Sequence, residues 1–207
     1  MQVAVAMTLA LAVAAPARAG LPTDQLKGSI QRVIQIIQDP ALKADTRVAE
    51  RRDRIRSVAD QIFDFGEIAR RALARHWLPL SDPQRKEFVS LFSDLLERSY
   101  VARIEQYGGE KILYASERVD GDVATVGTRI VTKTGTEVPV DYRMARRGDR
   151  WLVYDVNIEG VSLVSNYRTQ FNKIIQTESF AELMRRLKSK QEVADSDAPG
   201  QKAPPGR

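Results

Sequence analysis

The chain has 207 residues, no cysteine, a single histidine and a formal net charge of +5, with 43% hydrophobic and 29% charged residues. The missing cysteine excludes disulfides, thiolate nucleophiles, cysteine-ligated zinc, iron–sulfur clusters and a lipidated N-terminal cysteine, and one histidine excludes a multi-histidine metal site. A Ser-His-Asp device would have to use His76, yet no G-x-S-x-G elbow occurs, and what remains is the composition of one globular domain with a sizeable core.

From Val3 to Ala15 the chain is apolar except for Thr8, a 13-residue run that falls short of the ~20 residues needed to cross a bilayer. Ala17-Arg18-Ala19 then supplies a small-x-small cleavage pattern. Residues 1–19 are expected to be an export signal, although no Lys or Arg precedes the apolar run. An exported chain with no second apolar span is expected in the periplasm.

Leu26, Ile30, Val33, Ile34 and Ile37 recur at the spacing of one helical stripe, which Asp39-Pro40 ends. A second helix turns Val48, Ile55, Ala59 and Ile62 inward and its arginines outward. Between Arg47 and Arg75 eight arginines meet five acids, which is most of the positive surplus. Their interleaving suits a solvated face. The other reading is docking on anionic headgroups or on an acidic protein, with Arg51, Arg52 and Arg70 as the candidates; nucleic acid is a poor partner for an exported chain. Asp64-Phe65-Gly66-Glu67 opens a short helix, and His76 is expected near its C-terminal end rather than as a base. Ser81-Asp82-Pro83-Gln84 opens a long helix through Phe88, Phe92, Leu95, Tyr100 and Ile104, closed by Gly108-Gly109.

The period then changes from 3.6 to 2. Ile112 to Arg118, Val123 to Thr132, Thr136 to Ala145 and Trp151 to Ile158 predict four antiparallel strands joined as a meander by short glycine turns. Val138, Val140, Tyr142 and Met144 share one face of the third strand, and Pro139 marks an irregularity or an edge. In the fourth strand Trp151 and Val153 take one face, and Leu152, Tyr154 and Val156 the other. Two helices follow, one with Leu163, Tyr167 and Phe171 on its apolar stripe and one opened by Ser179-Phe180-Ala181-Glu182. The predicted architecture is a single α+β domain over residues 20–192, with about six helices on an antiparallel sheet and a disordered tail over residues 193–207.

No phosphate loop, dinucleotide fingerprint, zinc-protease motif or calcium loop is present. Asp141, Asp155 and Glu159 are expected to be solvated acids. No catalytic residue, metal or cofactor is predicted, and the chain does not read as an enzyme.

Three elements stand close together: Trp151-Leu-Val-Tyr-Asp-Val156, Glu159-Gly-Val-Ser-Leu163 and Asn166-Tyr-Arg-Thr-Gln-Phe171. With Phe88-Val-x-x-Phe92-x-x-Leu95-Leu96, Tyr100, Tyr107 and the closing Phe180-Ala-Glu-Leu183, they resemble the MlaC family of toluene-tolerance auxiliary proteins over roughly Leu26 to Lys190. The resemblance implies a cone similar to nuclear transport factors, in which a curved sheet and helices enclose an apolar cavity for acyl chains. It also implies a soluble periplasmic phospholipid carrier of an ABC lipid transport system. Such a carrier shuttles between an outer-membrane lipoprotein–porin complex and an inner-membrane MCE-type substrate-binding protein. On this reading Leu95, Tyr100, Ile104, Val140, Tyr142, Trp151, Tyr154, Val161, Leu163, Tyr167 and Phe171 are the lipid-lining candidates, with lipid entering between the long helix and the sheet. The same residues could simply fill a core. A hopanoid-associated branch shares the domain, and cone folds also host isomerases and hydrolases.

Overall fold

Pro22, free of an amide hydrogen and fixed in φ, opens the first helix, α1 (Pro22–Gln38). It belongs to a computed structural model that describes residues 21–189, so the expected export signal and tail lie outside the described residues. Two short 3₁₀ turns, Pro40–Leu42 and Asp45–Arg47, lead into α2 (Val48–Ile62), followed by α3 (Phe65–Leu73). A turn at Ala74–His76 precedes α4 (Asp82–Glu105). The strands are β1 (Lys111–Asp120), β2 (Val123–Val131), β3 (Glu137–Arg147), β4 (Arg150–Ile158) and β5 (Val161–Ser162), and α5 (Leu163–Thr177) and α6 (Phe180–Lys188) complete the chain.

The start signals work as their chemistry dictates. Asp64 Oδ1 accepts from the Glu67 amide at 2.9 Å. At α4 the Ser81 hydroxyl accepts from the Gln84 amide while the Gln84 side chain accepts from the Ser81 amide at 2.9 Å, so two otherwise unmatched donors are satisfied together. Ser179 caps α6 through the Glu182 amide at 3.1 Å, but the Glu182 carboxylate turns away to Arg185 and Arg186. In α2 the buried stripe is Ile55, Val58 and Ile62, with Val58 in the place expected for Ala59.

The sheet is antiparallel in the order β1-β2-β3-β4-β5, a meander with one strand more than predicted. The extra strand is the two-residue β5, which pairs with the end of β4 and carries too little pattern to be legible by itself. Glycine opens both two-residue turns: Gly121 (φ 56°) between β1 and β2, and Gly148 (φ 60°) between β3 and β4. Pro139 faces the end of β4, where its carbonyl accepts from the Glu159 amide at 3.0 Å. Its missing amide hydrogen therefore removes no bond from the β2–β3 ladder.

Two irregularities curve the sheet. Ala115 is extra in β1, between the Tyr114↔Thr128 and Ser116↔Gly127 pairs. Tyr154 is extra in β4, between the Val153↔Met144 and Asp155↔Arg143 pairs. A bulge bends its strand and shifts the alternation of faces by one residue. After Tyr154, Val156 and Ile158 therefore join Trp151 and Val153 on one face, correcting the expectation that Val156 lies opposite Trp151.

Helices lie over this sheet in two groups. In one, α3, α4, α5 and α6 enclose a cluster built on Phe88, Phe92, Tyr167, Phe171, Leu73 and Leu183. In the other, α1 and the end of α2 cover one end of the sheet's apolar face, packing Leu26 and Ile62 onto Ala124, Val126, Met144, Trp151 and Val153. The Thr23 amide donates to Glu117 at 2.8 Å and the Trp151 amide to Gln25 Oε1 at 2.9 Å, which fixes α1 across the strands.

Candidate functional site

The register places Ile112 and Tyr114, Val126 to Ile130 at alternate positions, Val138 to Met144 likewise, and Trp151, Val153, Val156 and Ile158 on one apolar face. Its two ends differ. Around Trp151 and Met144 the side chains are buried under α1, whereas Ile112, Ile130, Val138 and Ile158 at the other end stay half-buried. The end of α4 leads there, because Glu105 is followed within a few residues by Lys111 of β1. Helix α4 lies against α3 and α6 and packs Phe88 and Phe92 on α5. The half-buried side chains at this end are the part of the apolar face that the packing of the described residues covers least.

Tyr142 stands on this face between the buried Met144 and the half-buried Val138. Burial pushes its phenol up to about 12, helped by Tyr114 and opposed by a hydrogen bond with Thr128. Its side chain is half-buried, packed against the cluster under α1. On the α4 side Tyr100 is also pushed up to about 12, first by burial and then by Tyr167. Its buried hydroxyl has no partner among the described residues, a situation that costs about 1–3 kcal/mol. At the end of α4 a cleft of about 440 Å³ lies between Ile37 of α1, Lys43, Arg51, Glu105 and the Tyr107–Gly109 turn.

This end of α4 is held by charge. Glu105 takes Arg51 at 2.8 Å and Arg52 at 3.0 Å, and Arg51 also donates to the Leu42 carbonyl at 2.7 Å. Burial raises the Glu105 carboxyl, but hydrogen bonds from Arg52 and Arg51 outweigh that and hold it below the usual carboxylate range. One helix turn further along, Arg56 reaches Asp94 at 2.5 Å and Glu97 at 2.6 Å. The α2–α4 seam is thus spanned by long charged side chains.

The sequence-predicted lining residues fall into several places. Leu95, Tyr167 and Phe171 are fully buried in the helical cluster, with Tyr100 and Leu163 packed against it. Trp151 is buried and Tyr142 half-buried in the cluster under α1. Val140 is buried on the same face, outside both clusters. Ile104 is exposed on α4 and Val161 on β5, while Tyr154 lies under the Arg71 guanidinium at 4.1 Å. Of the candidate docking arginines, Arg51 and Arg52 are engaged on Glu105, and the exposed Arg70 pairs with Glu67 at 2.7 Å. Sequence reasoning missed Ile112, Tyr114, Ile130 and Ile158. Strand pairing aligns them with Val140 and Tyr142, but only a known register and the two bulges reveal it.

Asp155 departs from the solvated acid expected of it. It is buried, accepting from the Val164 amide at 3.0 Å and from the Ser162 hydroxyl at 2.7 Å, with Arg143 at 3.4 Å. Its carboxylate satisfies the Val164 amide in the first turn of α5 and holds the capping Ser162 hydroxyl, so its role is to seat that helix on β4. His76 sits in the turn after α3, its Nε2 2.9 Å from Asn172 Oδ1. No group of three or more His, Asp or Glu suited to a metal occurs among the described residues.

A curved antiparallel sheet with six helices over it, and an apolar face that is buried at one end and half-buried at the other, defines an α+β fold. Residues 27–189 match the family model of the MlaC protein, and the chain belongs to that family. It is 29% identical over 101 residues to the intermembrane phospholipid transport system binding protein MlaC of Haemophilus influenzae, covering 46% of this chain and 47% of that protein. It is 23% identical over 126 residues to the toluene tolerance protein ttg2D of Pseudomonas putida, covering 60% of this chain and 59% of that protein. The chain thus spans about half the length of these relatives. A solved phospholipid-binding protein of Ralstonia solanacearum, in complex with a phospholipid, has the same fold: TM-score 0.71 and 24% identity, covering 83% of this chain and 97% of that one. No helix among the described residues is long and apolar enough to cross a membrane.

Proposed function

We propose that this protein is a periplasmic carrier that holds a phospholipid by its acyl chains in a gap between α4 and the sheet. The observation that carries the reading is the apolar face of the sheet, which stays half-buried at Ile112, Ile130, Val138, Tyr142 and Ile158. Membership of the family and the phospholipid-transport and toluene-tolerance names of its relatives support the same reading. Exposing a CH₂ to water costs about 0.8 kcal/mol, so two acyl chains amount to roughly 20 kcal/mol, which makes unassisted crossing of an aqueous compartment negligible. A protein that exchanges water for an apolar surface lowers that barrier without any reacting group.

Within this proposal Tyr100, Ile104, Val140, Tyr142 and Leu163 are the lining candidates nearest the gap. The fully buried Leu95, Trp151, Tyr167 and Phe171 shape its walls, while Tyr154 and Val161 stand further out. The donor and acceptor are an outer-membrane lipoprotein–porin complex and an inner-membrane MCE-type substrate-binding protein of an ABC transporter, with Arg51, Arg52 and Arg70 as docking candidates. Val140→Trp tests the location. The indole should crowd the gap and lower the bound phospholipid per protein severalfold while far-ultraviolet circular dichroism stays native; unchanged loading in a folded variant would place the lipid elsewhere.

A further inference from the structure

A second surface lies at the end of α3, on residues that the cargo site does not use. Helix α3 stops at Ala74, whose φ of 49° and ψ of −117° belong to the left-handed half of backbone space that favours glycine. Holding alanine there costs free energy that the surrounding structure must offset. The result is a sharp corner that sends Trp77 and Leu78 to the rim of a cleft of about 500 Å³, completed by Arg70, Arg71, Arg75 and Arg168. Leu78 is 79% exposed, more than any other large hydrophobic residue described.

The cleft is strongly positive. Arg70 and Arg71 share Glu67, each at 2.7 Å. Arg75 donates to Asn172 at 2.9 Å and Arg168 to the Arg71 carbonyl at 2.9 Å, so neither meets a carboxylate among the described residues. Four guanidiniums against one carboxylate leave an excess of three positive charges. Packing within the chain fixes one of them, Arg71, which stacks on Tyr154, and a further arginine, Arg85, lies over the Trp77 ring at 5.5 Å.

We propose that this corner docks the protein on the surface of an anionic phospholipid bilayer. Guanidiniums bind phosphate groups through paired donors. An indole beside them suits the headgroup level, and a protruding leucine suits the boundary with the acyl chains. An acidic protein face would complement the charge equally but would give the leucine at the tip no matching environment. The inference does not rest on the cargo reading, since it concerns a different surface and lipid in a different state.

Flotation of the full chain with vesicles of phosphatidylglycerol and phosphatidylcholine, against phosphatidylcholine alone, tests it. The protein should float with the anionic vesicles at low salt and release as salt rises. Arg75→Glu with Arg168→Glu should weaken binding about tenfold or more, the corresponding lysine pair should retain most of it, and Leu78→Asn should weaken it at unchanged charge. Phospholipid extracted from the same variants reports cargo loading separately and should match the unaltered protein. Equal binding by the unaltered protein and the glutamate pair, or no binding to anionic vesicles at low salt, would overturn the proposal. So would capture of an acidic protein by a surface that ignores vesicles.

Discussion

The helical cluster and the apolar face of the sheet are made from similar residues and do different things. In the first, Phe88, Phe92, Tyr167 and Phe171 meet edge to face or tilted at centroid distances of 5.0–5.6 Å and leave almost no exposed surface. In the second, Ile112, Ile130, Val138 and Ile158 line a face that ends half-covered. An interior packed to crystal-like density offers a ligand no room, whereas a half-covered apolar face still has transfer free energy to release. The same hydrophobicity is structural in one region and available for binding in the other.

The largest way to break this contrast is Phe171→Ala, which removes the ring at the centre of the aromatic cluster. It should cost about 3–5 kcal/mol in chemical denaturation, whereas Ile130→Ala on the open face should cost about 1 kcal/mol and lower lipid loading instead. Equal costs would mean that both regions are ordinary core. Asp155→Ala comes next: with the Val164 amide left unmatched at a buried site, a loss of about 2–3 kcal/mol is expected. Asp155→Asn, retaining acceptor capacity, should recover part of it.

Smaller again is Glu105→Gln at the α2–α4 seam, which should cost about 1 kcal/mol and speed lipid exchange without preventing binding. Exchange of a fluorescent phospholipid with vesicles checks it, and an unchanged rate would show that the charged seam does not restrain the rim. The smallest effect is absent at neutral pH. Tyr100 and Tyr142 are both pushed up to about 12, above the ordinary value of roughly 10 for an unfolded chain. Their contribution is complete below pH ~10 and fades as pH rises toward 12. Tyr142→Phe should flatten this alkaline loss in a pH series of thermal unfolding, and an identical slope would contradict the placement of Tyr142 at depth.

Much of the fold was legible because local chemistry determines it. The Ser81–Gln84 capping box, the stripe from Leu26 to Ile37 and the two Gly-Asp turns each specify an element within a few residues. The bulges at Ala115 and Tyr154 leave no comparable mark, and one shifted residue exchanges the faces of everything after it. That is why plain alternation places Val156 on the wrong face and gives Ile112 and Ile158 no sign of the face they share. The division of the aromatics was illegible for another reason. Tyr142, Tyr167 and Phe171 all sit on inward faces, and only the packing of α4 and α5 distinguishes a wall residue from one that lines a gap. Charge at the rim was equally ambiguous, since an arginine engaged on Glu105 and one facing water occupy the same helical positions.

The most direct test of the central claim is mass spectrometry of the protein after gentle purification, before and after solvent extraction. A phospholipid in stoichiometric amount, lost from Val140→Trp and retained by the Arg75→Glu, Arg168→Glu pair, is the expected result. Protein that carries no lipid as purified, and takes up none when incubated with phospholipid vesicles, would contradict it.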